Sequence, residues 1–244
     1  MRELSKSIPR RLHDPNFLRR YFVGNGVDIG GKPDPLFLYR ELFPLMENVQ
    51  VWDIEDGDAQ FMSSVADETF DFVNSSHCLE HLRDPAEGLR NWIRILKPGG
   101  YLIAIVPDED LYEQGVFPST NNLDHKHTFT IYKEKSWSQS SINLLSLFSA
   151  LGPELRVEKV ELLNSTFRYD LPRYDQTVTP VGECAIEFVL RKAPALEVEL
   201  GGPDWRRPQP SAVVRRYLNQ YRDDYLHLKQ SNSAFPPFTN EEEL

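Results

Sequence analysis

The sequence predicts an α/β domain built on a doubly wound, mostly parallel sheet with helices on both faces. Candidate strands alternate along the chain with candidate helices, which is the pattern of parallel strands joined by crossover helices. One candidate strand, residues 101–106, is apolar at almost every position, as expected of a strand that is buried on both faces of such a sheet. With 244 residues, the chain is long enough for one domain of this class with a substantial core.

Each element has its own local signal. Asp14 followed by Pro15 has the form of an N-cap with proline in the first turn, so a short helix should follow. Asp84-Pro85 and Glu87 resemble a capping box, and Pro98-Gly99-Gly100 should end the helix that starts there. The predicted helices cover residues 17–22, 36–45, 84–97 and 138–151, and the predicted strands cover residues 26–29, 49–53, 70–74, 101–106, 157–163 and 185–190.

The chain is predicted to have one folded domain with an appended C-terminal helix. Residues 1–193 form the domain, and residues 1–24 are its helical lead-in, although residues 1–13 are polar with no clear period. Residues 194–210 are rich in proline and glycine and are predicted to be a linker. Residues 211–244 are predicted to form an amphipathic helix and a loose tail. We expect the apolar stripe of this helix to dock on the chain's own domain or on a second copy, which would give a homodimer.

The composition argues against several classes of protein. The chain has 27 basic and 37 acidic residues, a formal net charge of -10, and no strongly basic stretch, so a nucleic-acid partner is not expected. No apolar run reaches the roughly 18 residues that a membrane helix needs, and no apolar segment follows the charged N-terminus as in a signal peptide. Cys78 and Cys184 lie within predicted regular elements, which favours reduced thiols and a cytoplasmic location.

A glycine turn follows the first predicted strand, at Asp28-Ile29-Gly30-Gly31. Glycine at the carboxyl end of a parallel strand allows a ligand to approach the backbone. Asp53 ends the next strand and could accept hydrogen bonds from two ribose hydroxyls, so the pair suggests a cofactor that contains adenosine. A dinucleotide is disfavoured, because a third glycine is missing and Lys32-Pro33-Asp34-Pro35 stands in its place.

Further segments extend this pattern in a characteristic order. They are Val27-Asp28-Ile29-Gly30-Gly31, Gly57-Asp58-Ala59-Gln60, Phe70-Asp71-Phe72-Val73, His77-Cys78-Leu79-Glu80-His81-Leu82 and Arg94-Ile95-Leu96-Lys97-Pro98-Gly99-Gly100. With them, residues 22–192 resemble a class I S-adenosylmethionine-dependent methyltransferase of the broad small-molecule group. The resemblance implies a Rossmann-like methyltransferase fold with a sheet of the seven-stranded type. It also implies S-adenosylmethionine as cofactor and S-adenosylhomocysteine as product.

The resemblance also implies a set of cofactor-binding residues. These are Asp28, Gly30 and Gly31 at the methionine part, Asp53 at the ribose, Asp58, Ala59 and Gln60 at the adenine, and Ser75, Ser76 and His77 beside the sulfonium and the substrate. Two departures from the family pattern stand out. The glycine turn lacks its usual further glycine, so the backbone near Lys32 must run differently. Only four residues separate Asp53 from Asp58, so either the sheet is trimmed between its first and fourth strands or one acid, more readily Asp53, is not a ligand.

The acceptor side is predicted from loops that follow the later strands. Methyl transfer from a sulfonium needs alignment above all, and a hydroxyl acceptor also needs a group that takes its proton. His125 and His127 are the first candidates for this base, followed by His77, although a surface loop explains the first two equally well. The candidate substrate-binding residues are Asp108, Asp110, Tyr112, Arg168 and Arg173.

The expected function is transfer of a methyl group to a small-molecule acceptor or to a glycan or nucleotide-sugar acceptor, at a hydroxyl oxygen. Two alternatives stay open: an N-methyltransferase of a small molecule, and a scaffold or regulator with a degenerate cofactor site. A divalent cation near Asp108, Asp110, Asp124 and His125 is conceivable but not expected. His77 and His81 with Glu80 between them have the spacing of a metal-binding pair, and we interpret that turn as structural.

Overall fold

The computed structural model describes residues 3–203 and, beyond them, Arg216, Asn219, Gln220 and Arg222. One six-stranded sheet organises residues 3–203. Its strands are β1 (Gly24–Ile29), β2 (Met46–Trp52), β3 (Phe70–Ser76), β4 (Leu96–Pro107), β7 (Leu155–Leu163) and β8 (Ala185–Lys192). Two short strands, β5 (Thr128–Thr130) and β6 (Ser141–Asn143), pair with each other outside it. None of the helices in this described part of the chain is long and apolar enough to cross a membrane.

The sheet has the order β2-β1-β3-β4-β8-β7. Strand β1 is parallel to β2 and β3, and β3 is parallel to β4, whereas β8 is antiparallel to β4 and β7. The predicted mostly parallel sheet is therefore confirmed. Because the chain moves from β1 to β2 on one side and then to β3 on the other, the strand order switches at the carboxyl end of β1. Ligands bind beyond such a switch in open α/β sheets.

The sheet is trimmed between its first and fourth family strands, which is one of the two outcomes that the sequence allowed. Residues 53–69 are all described and contain turns but no strand. The chain thus passes from β2 directly to β3, and six strands stand where the seven-stranded type was expected.

Within residues 3–203, four α-helices accompany the strands: α1 (Leu4–Leu12), α2 (Pro85–Arg94), α3 (Leu144–Leu151) and α4 (Ala195–Glu199). Shorter helical turns cover Phe17–Tyr21, Leu36–Leu42, Leu79–His81, Glu109–Glu113 and Gln176–Val178. The predicted cap of α2 is confirmed, since the Asp84 carboxylate accepts hydrogen bonds from the amides of Ala86 and Glu87.

Both faces of the sheet are covered, as the apolar run in β4 predicts. Leu102, Ala104 and Val106 point into one core with Trp92 of α2. Ile103, on the other face, belongs to a second core with residues of the N-terminal lead-in and of the segment after β1. Alternate side chains of β4 therefore pack into two hydrophobic layers, one on each face of the sheet.

Several predicted boundaries change. The polar segment 1–13 contains α1, whose Arg11 is fully buried against Glu187 of β8, so a polar residue on the buried face hid the helical period. Residues 141–143 of the predicted helix 138–151 form β6 instead, because they pair with β5. Residues 36–45 give only a 3-10 turn, and residues 195–199 of the predicted linker form α4.

The predicted helix within residues 211–244 lies outside the described residues apart from the four named above. The homodimer that this helix would form stays a prediction.

Candidate functional site

The glycine turn at the end of β1 is required by crowding. Gly30 has a φ of +72°, and a Cβ there would lie 2.8 Å from the Cβ of Cys78. A Cβ on Gly31 would lie 2.5 Å from a carboxylate oxygen of Asp28. Only glycine avoids both conflicts, so the backbone itself forms the wall of the site at this point.

Asp28 holds the turn from beneath. Its carboxylate is buried and accepts hydrogen bonds from the Leu36 amide at 2.7 Å and from the Asn74 side chain at 2.5 Å. Burial raises the pKa of Asp28 to about 6. The bond to Leu36 shows how the backbone runs without the usual further glycine: the chain loops out and returns its amide to Asp28.

Asp53 lies directly beyond β2 and joins the two neighbouring loops. Its carboxylate accepts hydrogen bonds from the Lys32 amide at 3.0 Å and from the Ile54 amide at 2.8 Å. Each carboxylate oxygen therefore keeps further lone pairs for a ligand. Ile54 beside it is 86% exposed, an unusual position for a large apolar side chain.

These residues border a cleft of about 620 Å³, here called the large cleft. Its lining includes Trp52, Asp53, Ile54, Asp58, Ala59 and Gln60. The loop that carries the last three is fixed in place, because the Gln60 side chain donates to Glu87 and accepts from the Asp84 amide. The shortened connection between β2 and β3 thus brings Asp53 and Asp58 to the same cleft.

A second cavity of about 230 Å³, the small cavity, adjoins the large cleft. Its lining includes Glu3, Asp28, Ser76, Glu80, Tyr112 and His125. Four residues line both spaces: Gly30, Lys32, His77 and His81. Apart from Ser75, the predicted cofactor residues and the first candidate base therefore line two spaces that share one wall.

His77 stands in that shared wall. It has a φ of +55°, and its backbone amide donates to the Ile105 carbonyl at 2.9 Å, which extends the pairing of β3 with β4. Its Nδ1 lies 3.0 Å from the Ser76 hydroxyl. Burial lowers the pKa of His77 to about 3, so the imidazole is neutral near pH 7 and is a weak base.

His125 is buried beside the small cavity and belongs to a chain of polar groups. Its Nδ1 lies 2.8 Å from a carboxylate oxygen of Glu113, and its Nε2 lies 3.9 Å from Glu80. Tyr112 packs against the ring, with the ring centroids 5.2 Å apart. Burial raises the pKa of Glu80 to about 7. The arrangement orients the His125 imidazole as histidine–carboxylate pairs do in catalytic sites.

The loop that carries His125 is fixed to the turn that carries Glu80. The Lys126 amide donates to the Glu80 carbonyl at 2.9 Å, and the Lys126 ammonium donates to the His81 carbonyl at 2.7 Å. The imidazole of His127 faces the carbonyls of Leu82 and Arg83. His127 thus fastens the loop and lines neither space.

Other predicted site residues also lie outside the two spaces. Ser75 donates to the Ile29 carbonyl, and Asp108 caps the turn Glu109–Glu113. Asp110 pairs with Lys133 at 2.6 Å.

The two predicted substrate arginines have other surroundings. Arg173 donates to the Glu113 carbonyl and to the Thr120 hydroxyl, so its guanidinium is used within the loop. Arg168 is exposed and lines neither space.

Sequence reasoning gave no site role to Glu3 or Glu113 and interpreted the turn that carries Glu80 as structural, yet all three line or support the small cavity. Glu3 approaches it from the lead-in, and Glu80 from the turn after β3. Glu113 orients His125 from the turn after β4. For Glu113 the sequence held one signal: acidic residues recur at Glu109, Asp110 and Glu113, and the other two side chains of the turn are apolar or aromatic.

Part of the chain is similar to known methyltransferases. Residues 40–104 match the family model described as a methyltransferase domain. An uncharacterized methyltransferase of Schizosaccharomyces pombe is 34% identical over 90 residues, which cover 37% of this chain and 28% of that protein. The match therefore spans little more than a quarter of that relative.

Solved structures share the fold. A candidate methyltransferase of Bacillus halodurans superposes with a TM-score of 0.50 at 14% identity, covering 76% of this chain and 98% of that one. A methyltransferase of Archaeoglobus fulgidus described as dependent on S-adenosylmethionine gives a TM-score of 0.48 at 19% identity, covering 79% and 95%. Residues 40–104 therefore resemble a methyltransferase domain, and the chain shares the fold of a solved methyltransferase-like protein.

Proposed function

We propose that this chain transfers a methyl group from S-adenosylmethionine to a hydroxyl oxygen of a small-molecule or glycan-type acceptor. The observation that carries the proposal is the shared wall of Gly30, Lys32, His77 and His81 between the large cleft and the small cavity. With its adenosine in the first space and its methionine part at Gly30 and Gly31, the cofactor would present its methyl group at this wall to an acceptor in the second space. In-line displacement requires that the methyl group and the acceptor oxygen are held next to each other.

The large cleft fits the cofactor. The carboxylate of Asp53 keeps free lone pairs for the two ribose hydroxyls, and Ile54 next to it offers an apolar surface to the adenine. Asp58 and Gln60 border the far side. S-adenosylmethionine supplies an electrophilic methyl group on a sulfonium. Gly30 and His77 of the shared wall would hold that group beside the small cavity.

The small cavity suits a polar, hydroxylated acceptor without phosphate. Glu3, Glu80 and Asp28 give it an acidic lining, while Arg168 and Arg173 lie outside its lining. An anionic group would be repelled there, so the phosphates of a nucleotide sugar would have to remain outside the cavity. The part of the acceptor that enters is therefore neutral or cationic.

Loss of the hydroxyl proton is assigned to the cluster around His125. Of the three histidines considered from the sequence, His125 lines the small cavity and has its Nδ1 anchored by Glu113. His127 faces backbone carbonyls, and the low pKa of His77 makes that residue a poor proton acceptor. A cytoplasmic location, predicted from the two reduced cysteines, belongs to the same proposal.

The test is transfer of a labelled methyl group to a panel of hydroxylated and amine acceptors. His125→Ala should lower turnover by about 100-fold or more, the usual weight of acid–base assistance, and leave the affinity for S-adenosylhomocysteine within about twofold. His13→Ala, at an exposed residue on the lead-in, is the control. Labelling of amines alone would replace the oxygen assignment by N-methylation. Cofactor binding with no transfer to any acceptor would favour the scaffold.

A further inference from the structure

The Glu80 side chain is the most conspicuous polar group in the small cavity. It is 0% exposed, and neither of its carboxylate oxygens has a hydrogen-bond partner among the described residues. Burying a carboxylate without a partner is costly, and such groups are rare in folded proteins. Because Glu80 lines the small cavity, its missing partner is a ligand that enters there.

Two imidazoles face the same carboxylate. The Nε2 atom of His81 lies 4.0 Å from Oε1 of Glu80, and the Nε2 atom of His125 lies 3.9 Å from it. Both separations are too long for hydrogen bonds. One ligand atom from each of the three residues lies within 4.8 Å of the other two.

The partners of the Nδ1 atoms determine whether the Nε2 atoms carry a proton or a lone pair. Nδ1 of His81 lies 2.9 Å from the Asp124 carboxylate, and Nδ1 of His125 lies 2.8 Å from the Glu113 carboxylate. An ionised carboxylate only accepts hydrogen bonds, so in the neutral imidazoles Nδ1 carries the proton and Nε2 presents a lone pair. A carboxylate that accepts from the far nitrogen is the usual support of a histidine that binds metal.

We propose that Glu80, His81 and His125 bind a divalent transition-metal cation, and that this donor set selects zinc. Three lone-pair donors lie within 4.8 Å of one another, and a cation is the group that satisfies all three. Two imidazoles and one carboxylate make a typical catalytic zinc set, whereas Mg²⁺ and Ca²⁺ prefer oxygen ligands. The fourth position would face the small cavity.

The two separations from Glu80 require only a small adjustment. Zinc bonds of about 2.0–2.2 Å in tetrahedral geometry place neighbouring ligand atoms about 3.3–3.5 Å apart. The observed separations of 3.9 and 4.0 Å would contract by about half an ångström. The two segments that carry the ligands are already joined through both Lys126 bonds, so the site does not depend on a separate loop closure.

The role of this ion deepens the proposed function and rests on it. A cation whose open position faces the acceptor would bind its hydroxyl and make loss of the proton easier. His125 would then assist catalysis as a ligand held by Glu113. Binding of the ion itself does not depend on whether the chain transfers methyl groups.

The experiment measures zinc on the full chain, purified without a polyhistidine tag, stripped with a chelator and titrated with ZnCl₂ by calorimetry. We expect one equivalent to bind. His81→Ala and His125→Ala should each weaken binding by at least about 100-fold, and Glu113→Gln by about 10–100-fold. His13→Ala, at an exposed histidine of the lead-in that lines neither space, is the control, and its zinc affinity should match that of the wild type.

Cobalt gives a second readout that is independent of activity. Co²⁺ added to the stripped protein should give the visible absorption of a tetrahedral site, and His81→Ala should abolish it. S-adenosylhomocysteine binding checks that each variant is folded. Substoichiometric zinc on the wild type, equal affinity in His81→Ala and His125→Ala, or preference for Mg²⁺ would overturn the inference. Zinc-free protein that still transfers methyl groups at the full rate would overturn the catalytic role of the ion while leaving the proposed function intact.

Discussion

At the scale of single residues, three buried carboxylates have three different environments. Asp28 accepts bonds from Leu36 and Asn74, Glu187 is paired with arginines, and Glu80 has no hydrogen-bond partner within the described chain. The first lies in a motif that the sequence displays, so its place could be predicted. The roles of the other two depend on partners far along the chain, which no local pattern reveals.

The Asp53 carboxylate should contribute directly to cofactor affinity. Hydrogen bonds to a charged group are worth about 1.5–3 kcal/mol, so Asp53→Ala should weaken S-adenosylhomocysteine binding by about 10–100-fold in calorimetry. Asp67→Ala, an exposed acid paired with Arg94 and outside the lining of both spaces, is the matched control. Equal affinities for the two variants would remove Asp53 from the site.

Alanine variants of Gly30 and Gly99 distinguish the cost of backbone strain from the cost of steric crowding. Both have positive φ values, +72° and +88°, but a Cβ on Gly99 would meet no atom within 4 Å, whereas one on Gly30 would meet Cys78. Gly99→Ala should cost about 1–2 kcal/mol in urea unfolding, the cost of a left-handed conformation. Gly30→Ala should cost more and should also weaken S-adenosylhomocysteine binding. Equal losses would show that the turn at Gly30 has room to adjust.

At the scale of elements, a buried ion pair joins α1 to the sheet. Arg11 donates to Glu187 at 2.8 Å and also reaches Asn74, whose amide donates to Asp28. The lead-in helix is therefore connected through two side chains to the cofactor turn. Its buried arginine also explains why the sequence shows no period there, since a hydrophobicity pattern counts a paired arginine as exposed.

Ionisation of Glu187 should make the free energy of unfolding depend on pH in the acid range. Burial alone would raise its pKa, but the charges of Arg11 and Arg10 hold it at about 2, below the ordinary value of 4.5. A depressed carboxyl pKa gives stabilisation that is complete above about pH 4.5 and is lost as the pH falls toward 2. Urea unfolding between pH 7 and pH 3 should show a loss of roughly 2 kcal/mol from this group.

Glu187→Gln should flatten that acid slope, while its stability at pH 7 falls by about 3–5 kcal/mol because Arg11 loses its partner. Glu183→Gln, which removes a carboxylate that contacts Arg10 alone, should keep most of the slope. An unchanged slope in Glu187→Gln would mean that other carboxyl groups carry the acid sensitivity.

At the scale of the whole molecule, the sequence predicts the sheet better than the acceptor site. The alternation of strands and helices, the double burial of β4 and the trimmed connection after β2 all follow from local patterns and spacing. The cofactor turn could be found because glycines and acids at strand ends stand close together in sequence.

The small cavity could not be found in this way. It is assembled from the lead-in, the turn after β3, the turn after β4 and the loop at His125. Glu80 and His125 stand 45 residues apart, and only the fold shows that they share a cavity. The sequence offered His125 as one of three histidines, and its burial beside Glu113 is what separates it from His127.

The central claim is that S-adenosylmethionine binds beside the shared wall of the two spaces. The most direct test is the melting temperature with S-adenosylmethionine, S-adenosylhomocysteine, NAD and no ligand. A ligand at about a hundred times its dissociation constant stabilises the native state by roughly 2.7 kcal/mol, which for a domain of this size raises the melting temperature by roughly 5–11 °C. We predict this rise with both adenosyl compounds and none with NAD. No rise with any of the three would contradict the account.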